Sequence, residues 1–295
     1  MKARFFSIIC VFLFGMMNTS QAQEAEEAGQ GLDFISKPII KSLFYGFEFI
    51  DITRGLEGEI DFELSSTFLS RHMINGIDMT DDHGVVIPTG TVIFGDSGFS
   101  AKVIHVYPIS NNLVSSTENN YAAFYTGSFL DDTPWATHFT LNYFYFGKPN
   151  IGGHKNDARE IGSTFYWPQF YKLGNGYITP NYYVGHFGAS KSNSNIRNCE
   201  GFIHIFGLNY DFEVSEFWPS GDKQGFRLLG NISYNDGYAG AAIEHDWSHA
   251  VVGISTSVRK GNLTITPMLN YQISMEETVN TQNELWSGIN VTYRF

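Results

Sequence analysis

The segment that most constrains the fold is 284–295, ELWSGINVTYRF, which stops on an aromatic. Leu285, Ile289, Val291, Tyr293 and Phe295 fall on one parity, and Trp286, Gly288, Asn290, Thr292 and Arg294 on the other. Successive strand side chains point to opposite faces, so the segment reads as a strand with one greasy face and one mixed face. In a soluble sandwich the greasy face would meet a second sheet. In a transmembrane barrel it would meet lipid, and a strand of roughly 9 to 11 residues would cross the bilayer.

Composition favours the second reading. The chain has 295 residues, 16% aromatic and 16% charged, with 30 glycines, which describes a sheet-rich protein with tight turns. A mean hydropathy of -0.14 excludes a helical membrane protein, whereas a barrel presents only half of each strand to lipid. Asp and Glu number 30 against 18 Lys and Arg, which argues against a nucleic-acid partner.

The beginning of the chain reads as a secretory signal. Lys2 and Arg4 precede an apolar run from Phe5 to Met17, and Ser20-Gln21-Ala22 supplies the small residues of a cleavage site, placed after Ala22. Cys10 lies in that run, so Cys199 is left alone and no intrachain disulfide is expected. Residues 23–58 form a periplasmic lead-in. Within it Ile39, Ile40, Leu43, Phe44 and Phe47 recur at helical spacing, which predicts an amphipathic helix or an extended segment at the periplasmic end, or else a plug inside the lumen. The barrel then occupies 59–295.

From residue 60 onward the apolar period is two. Strands are expected over 60–71, 84–94, 98–107, 119–130, 135–147, 158–169, 177–187, 201–213, 225–235, 247–259, 262–274 and 284–295. Their connections alternate in length. Tight turns such as Gly95-Asp96-Ser97-Gly98 and Lys260-Gly261-Asn262 alternate with long polar stretches such as 72–83, 108–118 and 188–200, although 215–224 is long for its class. The expected fold is therefore all-β, an antiparallel transmembrane barrel of about twelve strands. Alternation is weak over 84–130. Aromatics gather at both strand ends, with Phe94, Phe99, Phe129 and Trp135 near short turns and Tyr107, Tyr121, Tyr234 and Trp247 near long loops, as two interfacial girdles require.

The closing strand resembles the C-terminal strand of bacterial outer-membrane β-barrel proteins. That resemblance implies that Tyr293 and Phe295 act as a signal to the barrel assembly machinery. Ser66-Thr67-Phe68-Leu69-Ser70-Arg71 followed by Asn75-Gly76-Ile77 is similar to the opening of a family of uncharacterised outer-membrane barrels. That likeness implies location and shape, and no activity.

Candidate functional residues are the charges on the lumen-facing parity. Glu63, Arg71, Glu160, Asp211, Arg227, Arg259 and Arg294 would line the lumen and set any selectivity, joined by Asp61 and Glu213. Arg227 and Arg294 are expected to face Glu63 and Glu160, either closing a polar core or lining a small channel. No motif for a catalytic site, a metal or a cofactor stands out. Gly95-Asp96-Ser97-Gly98 has the letters of a serine-protease segment, but a hairpin turn accounts for it. His72, His83, His154, His245 and His249 fall in or beside long loops without metal-ligand spacing.

These observations point to a small-solute channel or a structural protein of the bacterial outer membrane. Its expected partners are membrane lipids, lipopolysaccharide, the assembly machinery and small solutes. Two alternatives stay open. One is an outer-membrane enzyme acting on lipid, for which His204 is the candidate. The other is a secreted soluble β-sandwich that binds carbohydrate through its aromatics.

Overall fold

The computed structural model describes residues 60–295 except 111–112, 114–115, 134, 151–152, 169, 216, 218–222, 241–244 and 278. The signal segment and lead-in lie outside the described residues. All twelve expected segments form long strands: β1 (Ile60–Leu69), β2 (Val85–Phe94), β3 (Phe99–Pro108), β4 (Glu118–Phe129), β5 (Thr137–Gly147), β6 (Ala158–Tyr166), β7 (Gly176–Ala189), β8 (Gly201–Val214), β9 (Gln224–Asp236), β10 (Asp246–Thr256), β11 (Leu263–Ser274) and β12 (Glu284–Arg294).

Each strand pairs antiparallel with its sequence neighbour, and β12 returns to pair with β1 from Glu63↔Arg294 to Leu69↔Gly288. This closes the sheet and leaves no unpaired edge, the condition for a sheet to sit in lipid. A two-sheet sandwich is thereby ruled out as the architecture. Leu285 is 51% exposed and Ile289 41%, on the outside of a single closed sheet and not in a dry core between two.

Two strands depart from their expected bounds by more than two residues. The segment expected over 158–169 stops at Tyr166, and Pro168, which has no N–H to donate, follows in the next residues. Tyr171–Leu173 then folds back on Gly176–Ile178, so the Gly174-Asn175 turn caps a hairpin that extends beyond β6. The segment expected over 247–259 breaks at Ser257, and Val258–Lys260 pairs separately with the start of β11. At the other end of β10, Ser233 pairs with His249 and Tyr234 with Trp247, which leaves Ser248 as an extra bulged residue.

The outer surface is a belt of exposed apolar side chains, including Leu64, Val103, Leu141, Ile161, Leu208, Val252 and Leu269. A continuous apolar surface on a closed barrel needs an apolar solvent. Aromatic pairs mark its margins. Phe99–Tyr125 (ring centroids 4.8 Å) and Phe212–Phe226 (5.8 Å) lie near the short turns, and Tyr121–Tyr145 (6.3 Å) and Tyr234–Trp247 (5.4 Å) near the long loops. Leu141, 45% exposed near the middle of β5, tests the belt. Leu141→Arg should destabilise the barrel in lipid vesicles by about 2 kcal/mol, read from urea unfolding, because a cation would sit near mid-bilayer.

The weak alternation over 84–130 has a physical cause. In β2 and β3 the inward residues Val85, Ile87, Ile93, Ile104 and Val106 are as apolar as outward Val86, Val92 and Val103, because the barrel carries a core of its own.

Candidate functional site

The lumen has two unlike halves. Toward the short turns, inward side chains are mostly polar and several are paired, with Ile93 an apolar exception beside Asp61. Asp211 and Arg227 stand opposite each other in the β8–β9 register, and the guanidinium binds the carboxylate through two parallel bonds, Nε–Oδ1 at 2.5 Å and Nη2–Oδ2 at 2.9 Å. Arg294 stands opposite Glu63 in register and reaches Asp61 with Nε at 3.1 Å and Nη2 at 2.9 Å. Strand register sets these partners, since directly opposed or diagonal side chains on one face are the ones within reach. Arg227 and Glu160 do not meet, because they lie at opposite ends of the barrel. Asn290 donates to Thr67 Oγ1 at 2.8 Å, and the Lys102 ammonium lies 5.6 Å from the Phe124 ring centre.

Three more of the residues expected in the lumen sit away from these pairs. Arg71 sits at the long-loop rim, bound to Glu284 and, at 2.5 Å, to Asp82. Arg259 lies in the exposed segment Val258–Lys260, where its Nε donates to the Gly261 carbonyl at 3.1 Å. Glu160 is fully buried at the long-loop end and accepts hydrogen bonds from the Tyr183 and Tyr238 hydroxyls. Tyr293 and Phe295 point outward with their rings 5.0 Å apart, and Phe295 N–H donates to Phe62 O at 2.9 Å.

Toward the long loops the interior is packed. Leu69, Val85, Ile87, Ile104, Val106, Phe144, Phe146 and Trp286 form one buried apolar cluster, with Val251 and Met268 packed on it from β10 and β11. Tyr183, Ile203, Ile205 and Tyr238 form a second cluster. Phe187 packs on both, so the apolar packing is continuous, and with Val85 and Ile203 wholly buried it fills this half of the lumen as a septum.

The first long loop, 70–84, adds a lid to this septum. Met73–Ile74 pairs with Ile77–Asp78 in a small ribbon turned by Asn75 and Gly76, both with positive φ (46° and 93°). That is the geometry an Asn-Gly hairpin turn provides. The turn docks on β11, two strands round the wall from β1, where Gln272 Nε2 donates to Gly76 O at 2.8 Å. A Cβ at Gly76 would lie 2.6 Å from His249 Nδ1, so only glycine seats here. At the base of the loop His72 N–H donates to Thr80 Oγ1 at 2.9 Å, and Met79 N–H to His72 O at 2.9 Å.

Sequence reasoning missed this lid, although Asn-Gly flanked by Met73, Ile74 and Ile77 signals a hairpin with an apolar face.

Other ionisable groups gather at the mouth. The Asp157 carboxylate accepts from Tyr145 OH, from Lys148 N–H at 3.0 Å and from His154 Nδ1 at 2.7 Å. Burial pushes its pKa up, but these donors outweigh it and hold the carboxyl below its ordinary range. His249 is buried between two serines, Ser233 Oγ at 3.0 Å from Nε2 and Ser248 Oγ at 2.9 Å from Nδ1. Both ring nitrogens are thus engaged beneath the Gly76 turn, which makes the trio a packing network.

His204 faces outward, its Nδ1 2.7 Å from Tyr182 OH, with its ring stacked on Tyr182 and near Phe202. Its hydrogen-bond partner is a phenol of the outer aromatic surface. Ser97 turns back on its own loop, donating to Phe94 O at 2.6 Å. Among the described residues no three His, Cys, Asp or Glu side chains gather as a metal site.

A closed antiparallel barrel of even strand number, greasy outside, girdled by aromatics and folded inside around its own side chains, defines an outer-membrane β-barrel protein, and this chain is one. No protein-family model and no curated protein matches the sequence. Among solved structures the chain is similar to a KdgM porin at 7% identity and a TM-score of 0.47, covering 79% of this chain and 99% of that one. It is also similar to a NanC porin (10% identity, TM-score 0.46, 79% and 98% covered) and to a bacterial polysaccharide outer membrane secretin (8%, 0.46, 81% and 99%).

Proposed function

We propose that the protein is a passive small-solute channel of the bacterial outer membrane, held closed at its long-loop end by the septum and the 70–84 loop. In this reading the segment ending near Ala22 exports the chain, and Tyr293 and Phe295 present it to the assembly machinery. The long loops then face the lipopolysaccharide leaflet, and the short turns face the periplasm.

The observation that carries the reading is the division of the lumen. Inward Asp61, Arg294, Arg227 and Asp211 keep 15%, 19%, 11% and 36% of their side-chain surface open to water, whereas Val85, Phe144 and Glu160 beyond them keep almost none. A barrel with a purely structural role has no need of a wet, charged half beneath a dry one. Glu63, Asp211, Arg227 and Arg294 would then line the periplasmic vestibule, with Arg71 and Glu160 at the closure.

Planar-bilayer recording tests this function. The intact barrel should stay near baseline, while a variant with 73–82 replaced by a short glycine–serine turn and with Phe144, Phe146 and Trp286 of the septum changed to Ala should open in discrete steps. Silence in both would leave the structural role.

A further inference from the structure

At the mouth, the ribbon of the 70–84 loop and the inward faces of β5 to β7 enclose a cavity of about 370 Å³. Its walls are mainly carbon, with Ile77, Ile196 and Ala158 beside a run of aromatic rings. Phe146 and Phe187 have centroids 6.2 Å apart, and Phe187 and Tyr238 5.2 Å, all tilted. Such a run offers a planar guest the edge and offset contacts that rings prefer. The volume lies within the range of roughly 300 to 1,000 Å³ typical of small-molecule pockets, which are apolar with few polar groups and favour the mouths of barrels.

The polar part of the wall identifies the class of guest. Glu118 and Lys148 both line the cavity, and their charges are spent on each other, Nζ to Oε1 at 3.1 Å. Glu118 also accepts from Asn120 Nδ2 at 2.8 Å and is buried. An anionic guest would have to draw Lys148 away from Glu118, and a cationic guest the reverse. The first exchange strands the buried Glu118 carboxylate, and the second leaves the partly buried Lys148 ammonium without its counter-charge. A neutral guest leaves the pair intact and still gains the ring contacts.

We propose that this cavity binds a small uncharged aromatic compound of one or two fused rings. The site stands whether or not the lumen conducts, since the guest is held by the mouth and not by passage. Cys199 lines the same cavity and is half-buried, so its thiol reports occupancy.

The test is alkylation of Cys199 by N-ethylmaleimide in the refolded full chain at neutral pH. Peptide mapping separates the Cys199 adduct from Cys10. 1-Naphthol should slow alkylation, and 1-naphthoate, of like shape but anionic, should not. Ala158→Phe fills the cavity from the barrel wall and should raise the half-protecting naphthol concentration roughly tenfold or more. Ala239→Phe fills it from the opposite loop and serves if the first variant does not fold, which heat-modifiability on a gel would reveal. Naphthol should also raise the unfolding temperature of the parent protein and not of the filled variants, because a guest that binds only the native state stabilises it. No protection in the parent, equal protection by naphthoate, or full protection in a folded filled variant would overturn the proposal.

Discussion

Arg71→Ala is expected to release the 70–84 loop from the barrel mouth and to give the largest functional change of any single substitution at the rim. The Arg71 guanidinium bridges Glu284, the first residue of β12, and Asp82 on the loop itself. Glu284 is 4% exposed on its side chain, so removing the guanidinium leaves a buried carboxylate with the Asn280 amide at 3.3 Å. An uncompensated buried charge of this kind costs about 3 kcal/mol, and swinging the loop outward admits water to relieve it. Divided by 1.4 kcal/mol per decade, that raises the population of released loop on the order of 100-fold. Proteinase K should then cut within 72–83 far faster than in the parent. Arg71→Lys keeps the charge but carries it on a flexible stem that reaches both carboxylates less well, so its effect should be smaller. Unchanged cleavage in Arg71→Ala would remove the latch from the account.

The barrel was legible where the two strand faces differ in chemistry. In β12, Leu285, Ile289 and Val291 against Trp286, Asn290 and Thr292 declare which side meets lipid, and the structure places each set accordingly. Legibility fell in β2 and β3 because a dry septum needs Val85, Ile87, Ile104 and Val106 inside while lipid needs Val86 and Val103 outside. Two apolar environments on opposite faces erase the period-two signal. The break at Tyr166 was written in the sequence, as Pro168, whereas the break at Ser257 was obscured for another reason: the local sequence still favours strand there, and only pairing with Leu263–Ile265 shows that the ladder has been re-formed.

The candidate site was less legible than the fold. Parity places Asp211 and Arg227 on the inward face but does not say that they are opposed, since register depends on turn lengths. Asp61 was visible as a lumen charge, yet its bond to Arg294 depends on how β12 closes against β1, a contact between residues 233 apart in sequence. Glu160 shows the limit most clearly. From sequence it is one more lumen carboxylate. In the fold the Tyr238 hydroxyl reaches it from beyond β9 and, with Tyr183, turns it into a buried anchor.

Closure should also weaken in acid, through His72. This imidazole is 6% exposed, and neither ring nitrogen has a hydrogen-bond partner. Burial is the main influence and lowers its pKa from the ordinary 6.5; Glu118 and Asp78 pull the other way, and Lys148 adds to the lowering. With the loop released, His72 meets water and titrates near 6.5. The sign follows from which state holds more protons. Above about pH 6.5 neither state is protonated at His72, and closure does not depend on this group. Below it the released loop takes up a proton that the closed loop refuses. Closure then loses up to about 1.4 kcal/mol per pH unit until the depressed pKa is reached, where the loss levels off. Proteinase K cleavage within 72–83, corrected for the enzyme's own pH dependence, should therefore rise up to about tenfold per unit as the pH falls below about 6.5, and level off where the depressed pKa is reached. His72→Phe keeps an apolar ring in the same space and removes the titration. Glu118 and Asp78 remain in that variant, so any acid response of their own persists, and the difference between the two proteins isolates the imidazole. Identical slopes in parent and variant would show that His72 has no part in holding the mouth shut.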